Sequence, residues 1–348
     1  MRPRPIPAVA LALLAAAAAC TPTAAPSEGQ SASPGDTPAS ATVRPLLVDT
    51  DVAADDLVAI SVLLGSPEVD IKAITVSGTG EAHCDSGVDV VLRLLERLQA
   101  PPIPVACGRE TPIAGDHTFP AEWRTAVDAG SGLNLPTTAR QPASGTAVGL
   151  ITATASETPG LHVLTLGPLT NLAEAIGADP TLAEGLASVT IMGGAVRVPG
   201  NLGFGGPADN DVAEWNIYVD PTAAQTVIDS GVAVRLVSLD GTNNVPVTPA
   251  FAKRVRDEAT GAGGQVLAEL FAANPWMAEG GYYLWDPLAA AIAAGHPLGS
   301  FEPARIDIEE AEGPEVGFTR PVEGTPNVEY LSGVEKAAAE DILVGALD

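Results

Sequence analysis

Four carboxylates lie close together near the start of the apolar, foldable part of this chain. Asp49, Asp51, Asp55 and Asp56 all fall within the segment VDTDVAADD, directly after an apolar run. Acids gathered between a strand end and a helix start repel one another unless a cation or hydrogen-bond donors offset their charge. A hard cation with oxygen ligands, Ca²⁺ or Mg²⁺, suits such a cluster. Capping of the helix N-terminus explains one or two of these acids, but not all of them.

The pattern of apolar residues from Val43 onward predicts the elements that position these acids. Buried strands are predicted for PLLVDTD, IKAITVSG, LHVLTLGP, SVTIMGG and AVRLVSLD. Helical spacing is found between them, in DLVAISVLLGS, VDVVLRLLERLQA, NLAEAIGADP and PTAAQTVIDSG. The alternation predicts an α/β fold, a single domain with a mostly parallel central sheet flanked by helices. Sheets of this kind bind ligands at the carboxyl ends of their strands.

The overall charge excludes one large class of function. The 348 residues include 17 Lys and Arg against 43 Asp and Glu, which gives a formal net charge of −26. A nucleic-acid-binding protein needs cationic surface to displace the counterions of the phosphates, so nucleic acid is not an expected partner. Hydrophobic residues make up 46% of the chain, which is the composition of a folded protein and not of a disordered one.

The N-terminus has the features of an export signal. Residues 1–20 combine Arg2 and Arg4, a short apolar stretch and three alanines before Cys20, which resembles the lipobox of a bacterial lipoprotein. The composition predicts a flexible Pro/Ser/Thr/Ala-rich linker over residues 21–42 and a folded domain over residues 43–348. We therefore expect an exported, cell-envelope lipoprotein anchored at the outer face of the membrane through its N-terminal lipid alone. An ordinary signal peptide with a coincidental cysteine is the alternative.

Two further cysteines remain once Cys20 is assigned to the lipid anchor. Cys84 and Cys107 would share an oxidising compartment, in which a disulfide between them is permitted. Two buried free thiols are the alternative, because spacing alone does not establish the geometry of a bridge.

Several motifs in the same order resemble one known family. The segment DTDVAADD is similar to the N-terminal fingerprint DTDPGxDD of the nucleoside hydrolases, the inosine-uridine preferring nucleoside N-ribohydrolases. The resemblance continues through GRETPI, LTLGPLTNLA, IMGGAV, AEWNIYVDPTAA and WDPLAAA, and so extends from about Leu46 to the C-terminus. It implies the nucleoside hydrolase fold, which is Rossmann-like, and a hydrolase that acts on N-glycosyl compounds.

The resemblance also implies a calcium site and a catalytic base. The family's Ca²⁺ ligands fall on Asp51, Asp56, Asp286 and the backbone carbonyl of Leu166. The catalytic base corresponds to Asp51, which would remove a proton from a water molecule made more acidic by the ion.

Substrate-binding residues are implied in the same way. The ribose hydroxyls would bind Asp55 and Asn216, and the 5′-hydroxyl would bind Glu214, with Met192 on the floor of the sugar site. The family's second ligand of the 5′-hydroxyl matches Asn201. Because the insertion LGFGGPADND follows it, Asn210 is a competing candidate.

The chain departs from the family pattern where the leaving group is activated. Many members carry a histidine just before the last metal-binding aspartate, and here that position is Trp285, which has no titratable proton. Trp285 would stack on a nucleobase or close the pocket, and Tyr282, Tyr283 or His117 are alternative proton donors.

The expected activity is hydrolysis of the N-glycosidic bond of ribonucleosides, which gives nucleobase and ribose, as in purine and pyrimidine salvage. Two alternatives stay open: a catalytically impaired lipoprotein that binds nucleosides or ribose, and a hydrolase of another riboside. Base preference and homo-oligomerisation are also left open by the sequence, because variable loops build the base pocket.

Overall fold

A computed structural model describes residues 43–348. The signal segment 1–20 with Cys20 and the linker 21–42 lie outside the described residues, so export and lipidation stay predictions from the sequence.

Nine strands and thirteen α-helices make up the described part of the chain. The strands are β1 Arg44–Thr50, β2 Val69–Val76, β3 Val105–Cys107, β4 His162–Thr165, β5 Ser188–Met192, β6 Val234–Val237, β7 Ser300–Ile308, β8 Thr319–Val322 and β9 Val328–Gly333. The helices are α1 Ala54–Gly65, α2 Cys84–Arg97, α3 Ala121–Asp128, α4 Ala147–Glu157, α5 Thr170–Ala178, α6 Leu182–Gly185, α7 Trp215–Val219, α8 Pro221–Ile228, α9 Leu239–Thr242, α10 Pro249–Glu258, α11 Ala262–Ala273, α12 Trp285–Ala294 and α13 Lys336–Ala346. A 3₁₀ turn, Pro275–Ala278, precedes α12.

All nine strands join one sheet in the order β3-β2-β1-β4-β5-β6-β9-β7-β8. Pairing is parallel from β3 to β9, and β7 runs antiparallel to both β9 and β8. In the centre of the sheet, Leu46–Asp49 of β1 pair with His162–Thr165 of β4. The α/β prediction is therefore confirmed, including its single, mostly parallel sheet.

Apolar side chains cover both faces of the sheet. On one face, α1, α2 and α10–α13 pack around a core that includes Leu57, Ile74, Leu94, Phe251 and Leu288. On the other face, α4–α6 and α8 pack around a core that includes Leu47, Ile151, Leu172, Val189 and Ala223. Burial of each large aliphatic side chain contributes about 1.5–3 kcal/mol, so this three-layer arrangement holds the strand ends in place.

Helix α1 is almost completely buried, as its composition demands. Its sequence ADDLVAISVLLG is apolar on nearly every side after the first turn. It packs against α12 and α11, and its first turn carries Asp55 and Asp56. The partial positive charge of the helix N-terminus offsets part of the charge of these two acids.

A disulfide joins the first residue of α2 to the last residue of β3. Cys84 and Cys107 are 23 positions apart in sequence, and their Cα atoms lie 5.5 Å apart. Closing a loop of this length stabilises the fold by about 3 kcal/mol, mainly by restricting the unfolded chain. The bridge also anchors the end of the loop that follows β2, which forms part of the site described below.

The five strands predicted from the sequence correspond to β1, β2, β4, β5 and β6. The short strand β3 and the C-terminal strands β7–β9 were not predicted. In β7 most residues are half-buried or exposed, so the strand lacks the apolar run of a central parallel strand. The described helices, none longer than 14 residues, do not meet the requirements of a membrane span.

Candidate active site

A cavity of about 620 Å³ opens at the carboxyl ends of the central strands. This is the edge at which parallel α/β sheets bind ligands. Its acidic and polar floor comes from segments far apart in the sequence: Asp51, Asp55, Asp56, Leu166, Met192, Glu214, Asn216 and Asp286. Asn201 and Trp285 also line the cavity, which brings together every predicted metal-binding and substrate-binding residue except Asn210.

The acids that follow β1 are held by hydrogen bonds. Asp56 accepts hydrogen bonds from the Thr50 hydroxyl and, at 3.1 Å, from the backbone N–H of Asp51. Asp55 accepts one from the Tyr282 hydroxyl at 2.9 Å. Val52, which follows Asp51, has a φ of 70°. This backbone conformation is strained for a β-branched residue, and it turns the chain sharply after Asp51.

Carboxylates from two helices meet at the floor of the cavity. Oxygen atoms of Asp55, Asp56 and Asp286 lie within 4.8 Å of one another. Asp55 and Asp56 belong to the first turn of α1, and Asp286 belongs to the first turn of α12. The packing of these two helices therefore assembles a cluster that no single segment contains.

Burial and mutual repulsion make this cluster unfavourable without a cation. Burial is the main cause that raises the pKa values of three of these acids, and the charge of Asp56 is the second. The pKa of Asp55 rises to about 7, and the pKa values of Asp51 and Asp286 rise well above the usual range. A bound divalent cation would favour the charged forms and so reverse these shifts.

The donor atoms fit a hard divalent cation. Three carboxylates converge, and the Leu166 carbonyl oxygen faces the same floor, where it accepts a hydrogen bond of 2.8 Å from Asn216 Nδ2. Carboxylate and carbonyl oxygens are the ligands preferred by Ca²⁺ and Mg²⁺.

Glu214 and Asn216 form the polar side wall of the cavity. Glu214 caps α7, and its carboxylate accepts hydrogen bonds from the backbone N–H groups of Asn216 at 3.0 Å and Gly194 at 3.1 Å. Burial raises the pKa of Glu214 to about 7 in spite of these bonds. The Asn216 amide donates to the carbonyls of Leu166 and Met192, so both side chains are fixed before any ligand binds.

The two asparagines that compete for the 5′-hydroxyl occupy different environments. Asn201 lines the cavity, and its Oδ1 accepts a hydrogen bond from Trp215 N at 3.0 Å, which leaves its amide N–H groups available. Asn210 is buried outside the cavity. Its amide donates to the Val316 carbonyl, and its Oδ1 accepts from the backbone N–H of Ala213. The assignment of Asn210 to substrate is therefore wrong, because its side chain stabilises the inserted loop.

Asp49 does not belong to the acidic cluster either. Its side chain lies on the opposite face of the sheet, where Oδ1 accepts hydrogen bonds from Thr75 at 2.6 Å and Asn171 at 2.8 Å. Burial raises its pKa to about 7. Of the four acids for which the sequence suggested a hard cation, Asp49 therefore lies outside the cluster.

The candidate proton donors are also separated by the structure. Tyr282 and Trp285 line the cavity, with ring centroids 4.8 Å apart, whereas Tyr283 lies outside it. His117 lies away from the cavity, stacked on Tyr218 and hydrogen-bonded to the Tyr218 carbonyl at 2.8 Å. His117 is therefore excluded as a leaving-group acid in this arrangement.

Sequence reasoning missed Glu81 and one aromatic wall. Glu81 follows β2 and lines the cavity, and burial raises its pKa to about 8. Its place beyond a parallel strand was the available signal. Phe119, Trp123 and Trp215 also line the cavity, but they come from a loop and two short helices whose packing has no local sequence pattern.

Two glycines leave room for the Asp51 side chain. A Cβ atom added at Gly80 or Gly167 would lie 2.1 or 2.6 Å from Asp51 Cβ, too close for two carbon atoms. We expect Gly167→Ala to displace the carboxylate and to lower kcat at least about 100-fold, because displacements near 1 Å have effects of this size. Gly177→Ala in α5 is the matched control, since an added Cβ there meets no atom within 4 Å. Full activity of Gly167→Ala, measured beside an unchanged circular dichroism spectrum, would contradict this account of the site.

Comparison with known proteins agrees with the fold. The family model described as inosine-uridine preferring nucleoside hydrolase matches residues 46–341. This chain belongs to that family. The match includes every residue on the floor of the cavity.

Named relatives of this chain are ribonucleoside hydrolases. The pyrimidine-specific ribonucleoside hydrolase RihA of Salmonella paratyphi B is 37% identical over 217 residues, which are 61% of this chain and 66% of that protein. The matched segment thus spans just under two thirds of the length of this relative.

Solved structures match over a longer part of the chain. The plant nucleoside hydrolase PpNRh1 has a TM-score of 0.78 at 27% identity, covering 87% of this chain and 98% of that one. The inosine-uridine preferring nucleoside hydrolase of Bacillus anthracis has a TM-score of 0.76 at 25% identity, covering 88% and 100%. The fold of this chain is therefore the nucleoside hydrolase fold.

Proposed function

We propose that this protein hydrolyses the N-glycosidic bond of ribonucleosides to give a nucleobase and ribose. The observation that carries the proposal is the floor of the cavity, where converging carboxylates adjoin Glu214 and Asn216, polar groups suited to a sugar. Membership of the family supports the same reaction. Its relatives include proteins named as pyrimidine-specific, inosine-uridine preferring and purine-preferring ribonucleoside hydrolases.

Calcium is the proposed cofactor, with Asp51, Asp56, Asp286 and the Leu166 carbonyl as its ligands. Bound there, it would make a nearby water molecule more acidic and would orient the hydroxyls of the ribose. The oxygen-only donor set supports a hard cation over a soft one.

Asp51 is the proposed general base. Its carboxylate lies at the floor of the cavity, directly after β1, and would take the proton of the water that attacks the anomeric carbon. Asp55 and Asn216 would hold the ribose hydroxyls, while Glu214 and Asn201 would hold the 5′-hydroxyl, with Met192 beneath the sugar. The surrounding carboxylates would also stabilise the positive charge that develops on the ribose in the transition state.

A product assay tests the proposal directly. Purine and pyrimidine ribonucleosides are incubated with the protein, with and without a chelator, and ribose and free base are measured. We expect ribose release that stops on chelation and returns with Ca²⁺. Matched 2′-deoxyribonucleosides should react far more slowly, because the missing hydroxyl leaves buried polar groups unpaired. If no riboside is cleaved by the Ca²⁺-loaded protein, the proposed reaction is wrong.

A second candidate is a nucleoside-binding protein without turnover. It is favoured by Trp285 at the position of the family's histidine and by the absence of histidine from the cavity lining within residues 43–348. Calorimetry with inosine and uridine separates the two functions, because stable binding without product formation would support the binder.

Export as a lipoprotein also stays a proposal. It depends on the residues before Cys20 and gains support from the Cys84–Cys107 disulfide, a bond typical of oxidising compartments.

A further inference from the structure

Two groups of aromatic rings line the same cavity as the acidic floor. One aromatic wall consists of Phe119, Trp123 and Trp215, whose neighbouring ring centroids are 4.9 and 5.4 Å apart. The other consists of Trp276, Tyr282 and Trp285, with separations of 5.5 and 4.8 Å. Below, they are called the first and second aromatic walls.

The second aromatic wall reaches the mouth of the cavity. Trp276 is 56% exposed, and Phe204, which also lines the cavity and lies near Gly281, is 55% exposed. Exposed aromatic side chains grouped at the rim of a cavity are one mark of a ligand-binding groove. A flat ring stacked on either wall would cover such faces.

The charge of the cavity has only one sign. Its lining within residues 43–348 includes no lysine, arginine or histidine. Six carboxylates line it instead: Asp51, Asp55, Asp56, Glu81, Glu214 and Asp286. A bound divalent cation would favour the charged forms of these acids and offset only part of their charge. No basic side chain of the lining opposes the charge that remains, so the field at the aromatic walls favours a cation. The faces of aromatic rings attract cations in the same way, most strongly those of tryptophan.

The cavity has no dedicated proton donor that would activate a neutral nucleobase as a leaving group. Trp285 has no titratable proton, and the Tyr282 hydroxyl already donates to Asp55 at 2.9 Å. A cationic aglycone does not need such a donor. When its C1′–N bond breaks, both electrons pass to the nitrogen and the aglycone departs as a neutral molecule. The water oxygen bonds to C1′, and its proton passes to Asp51.

From these features we infer that the preferred substrates are ribosides whose aglycone is a flat heteroaromatic cation, such as an N-ribosylpyridinium or an N7-alkylated purine riboside. The inference rests on the proposed function, because it places the ribose on the acidic floor. The two aromatic walls and the carboxylates of the same cavity would then select a cationic aglycone over a neutral one.

Binding of the free aglycone isolates this selectivity from the reaction. 1-Methylnicotinamide, a permanent cation, and neutral nicotinamide are compared as competitive inhibitors of ribose release and as ligands in calorimetry with the Ca²⁺-loaded protein. We expect the cation to bind at least about tenfold more tightly. Equal affinities for the two compounds would overturn the inference.

Substitutions at Trp276 test whether the aromatic wall carries the selectivity. The measured quantity is kcat/KM for nicotinamide riboside divided by kcat/KM for inosine, a ratio in which differences of intrinsic reactivity cancel between variants. Trp276→Leu removes the aromatic face and should lower this ratio about fivefold, whereas Trp276→Phe retains a ring and should lower it less. Equal losses on both substrates in Trp276→Leu would contradict the inference.

The two proposals fail in different ways. If inosine and uridine are cleaved and charge has no effect on binding or on the ratio, the proposed function stands and the inference is wrong. If no riboside is cleaved, the proposed function is wrong, whereas tighter binding of 1-methylnicotinamide in calorimetry would still support a cation-selective cavity.

Discussion

Asp51→Asn is expected to lower kcat about 10³-fold and, at the same time, to stabilise the protein when no metal is bound. Loss of a general base costs between about 10² and 10⁴ in rate. The amide is neutral and removes one charge from a group of buried acids whose repulsion raises their pKa values, so the metal-free fold gains stability. The same change weakens Ca²⁺ binding, because a ligand is lost.

The experiment is specific because Asp51→Asn is expected to lower kcat but to raise the stability of the metal-free protein. Activity is measured at saturating Ca²⁺, and thermal midpoints are measured with and without chelator. Asp49→Asn is the matched control, because Asp49 is also a buried acid of the same segment but contacts Thr75 and Asn171 outside the cavity. Its kcat should stay within a few-fold of the unsubstituted protein. Near-normal turnover by Asp51→Asn would exclude Asp51 as the base.

The second large effect concerns the pH dependence of stability. The folded pKa values of Asp55 and Glu214 lie at about 7, above the ordinary values of 3.8 and 4.5. The folded state therefore binds these protons more tightly than the unfolded state does. The resulting stability is present below the unfolded pKa values and is lost as the pH rises through the folded ones.

Metal-free protein should accordingly be more stable near pH 5 than near pH 8, by an amount on the order of several kcal/mol, since each pKa unit corresponds to about 1.4 kcal/mol. In a domain of this size the thermal midpoint should fall by about 10 °C over this range. Added Ca²⁺ at about 100 times its Kd contributes about 2.7 kcal/mol and should recover much of the loss above neutral pH.

Thermal unfolding followed by circular dichroism across this pH range, with chelator and with Ca²⁺, provides the measurement. Asp55→Asn is an internal check, because it should flatten the metal-free profile. A metal-free protein whose stability rises steadily from pH 5 to pH 8 would show that the buried carboxylates are not protonated in the folded state.

Much of the fold could be predicted from local patterns. The predicted strands β1, β2, β4, β5 and β6 are largely apolar runs whose carboxyl-terminal residues are buried, and such runs have a strong sequence signal. The strands β7–β9 escaped prediction because they lie at the side of the sheet, with mixed polar and apolar residues. Their pairing depends on contacts between distant parts of the chain.

Part of the candidate site could also be predicted from the sequence, and part could not. The acidic segment that follows β1 pointed to Asp51, Asp55 and Asp56, because parallel strands bring their carboxyl ends to one edge. The motif resemblance added the Leu166 carbonyl, Glu214, Asn216 and Asp286. Glu81 follows the same rule but was not identified, since a single acid in a loop is usually a surface residue.

The amino-acid sequence by itself determined the family, the central parallel strands and the acidic segment, because these depend on local periodicity and on motifs of fixed spacing. Only the tertiary structure decided which polar residues face the cavity. It turned Asp49 to the other face of the sheet, used Asn210 to support a loop and packed His117 against Tyr218. It also assembled the aromatic walls from separate segments, since side-chain direction depends on packing between elements that are distant in the chain.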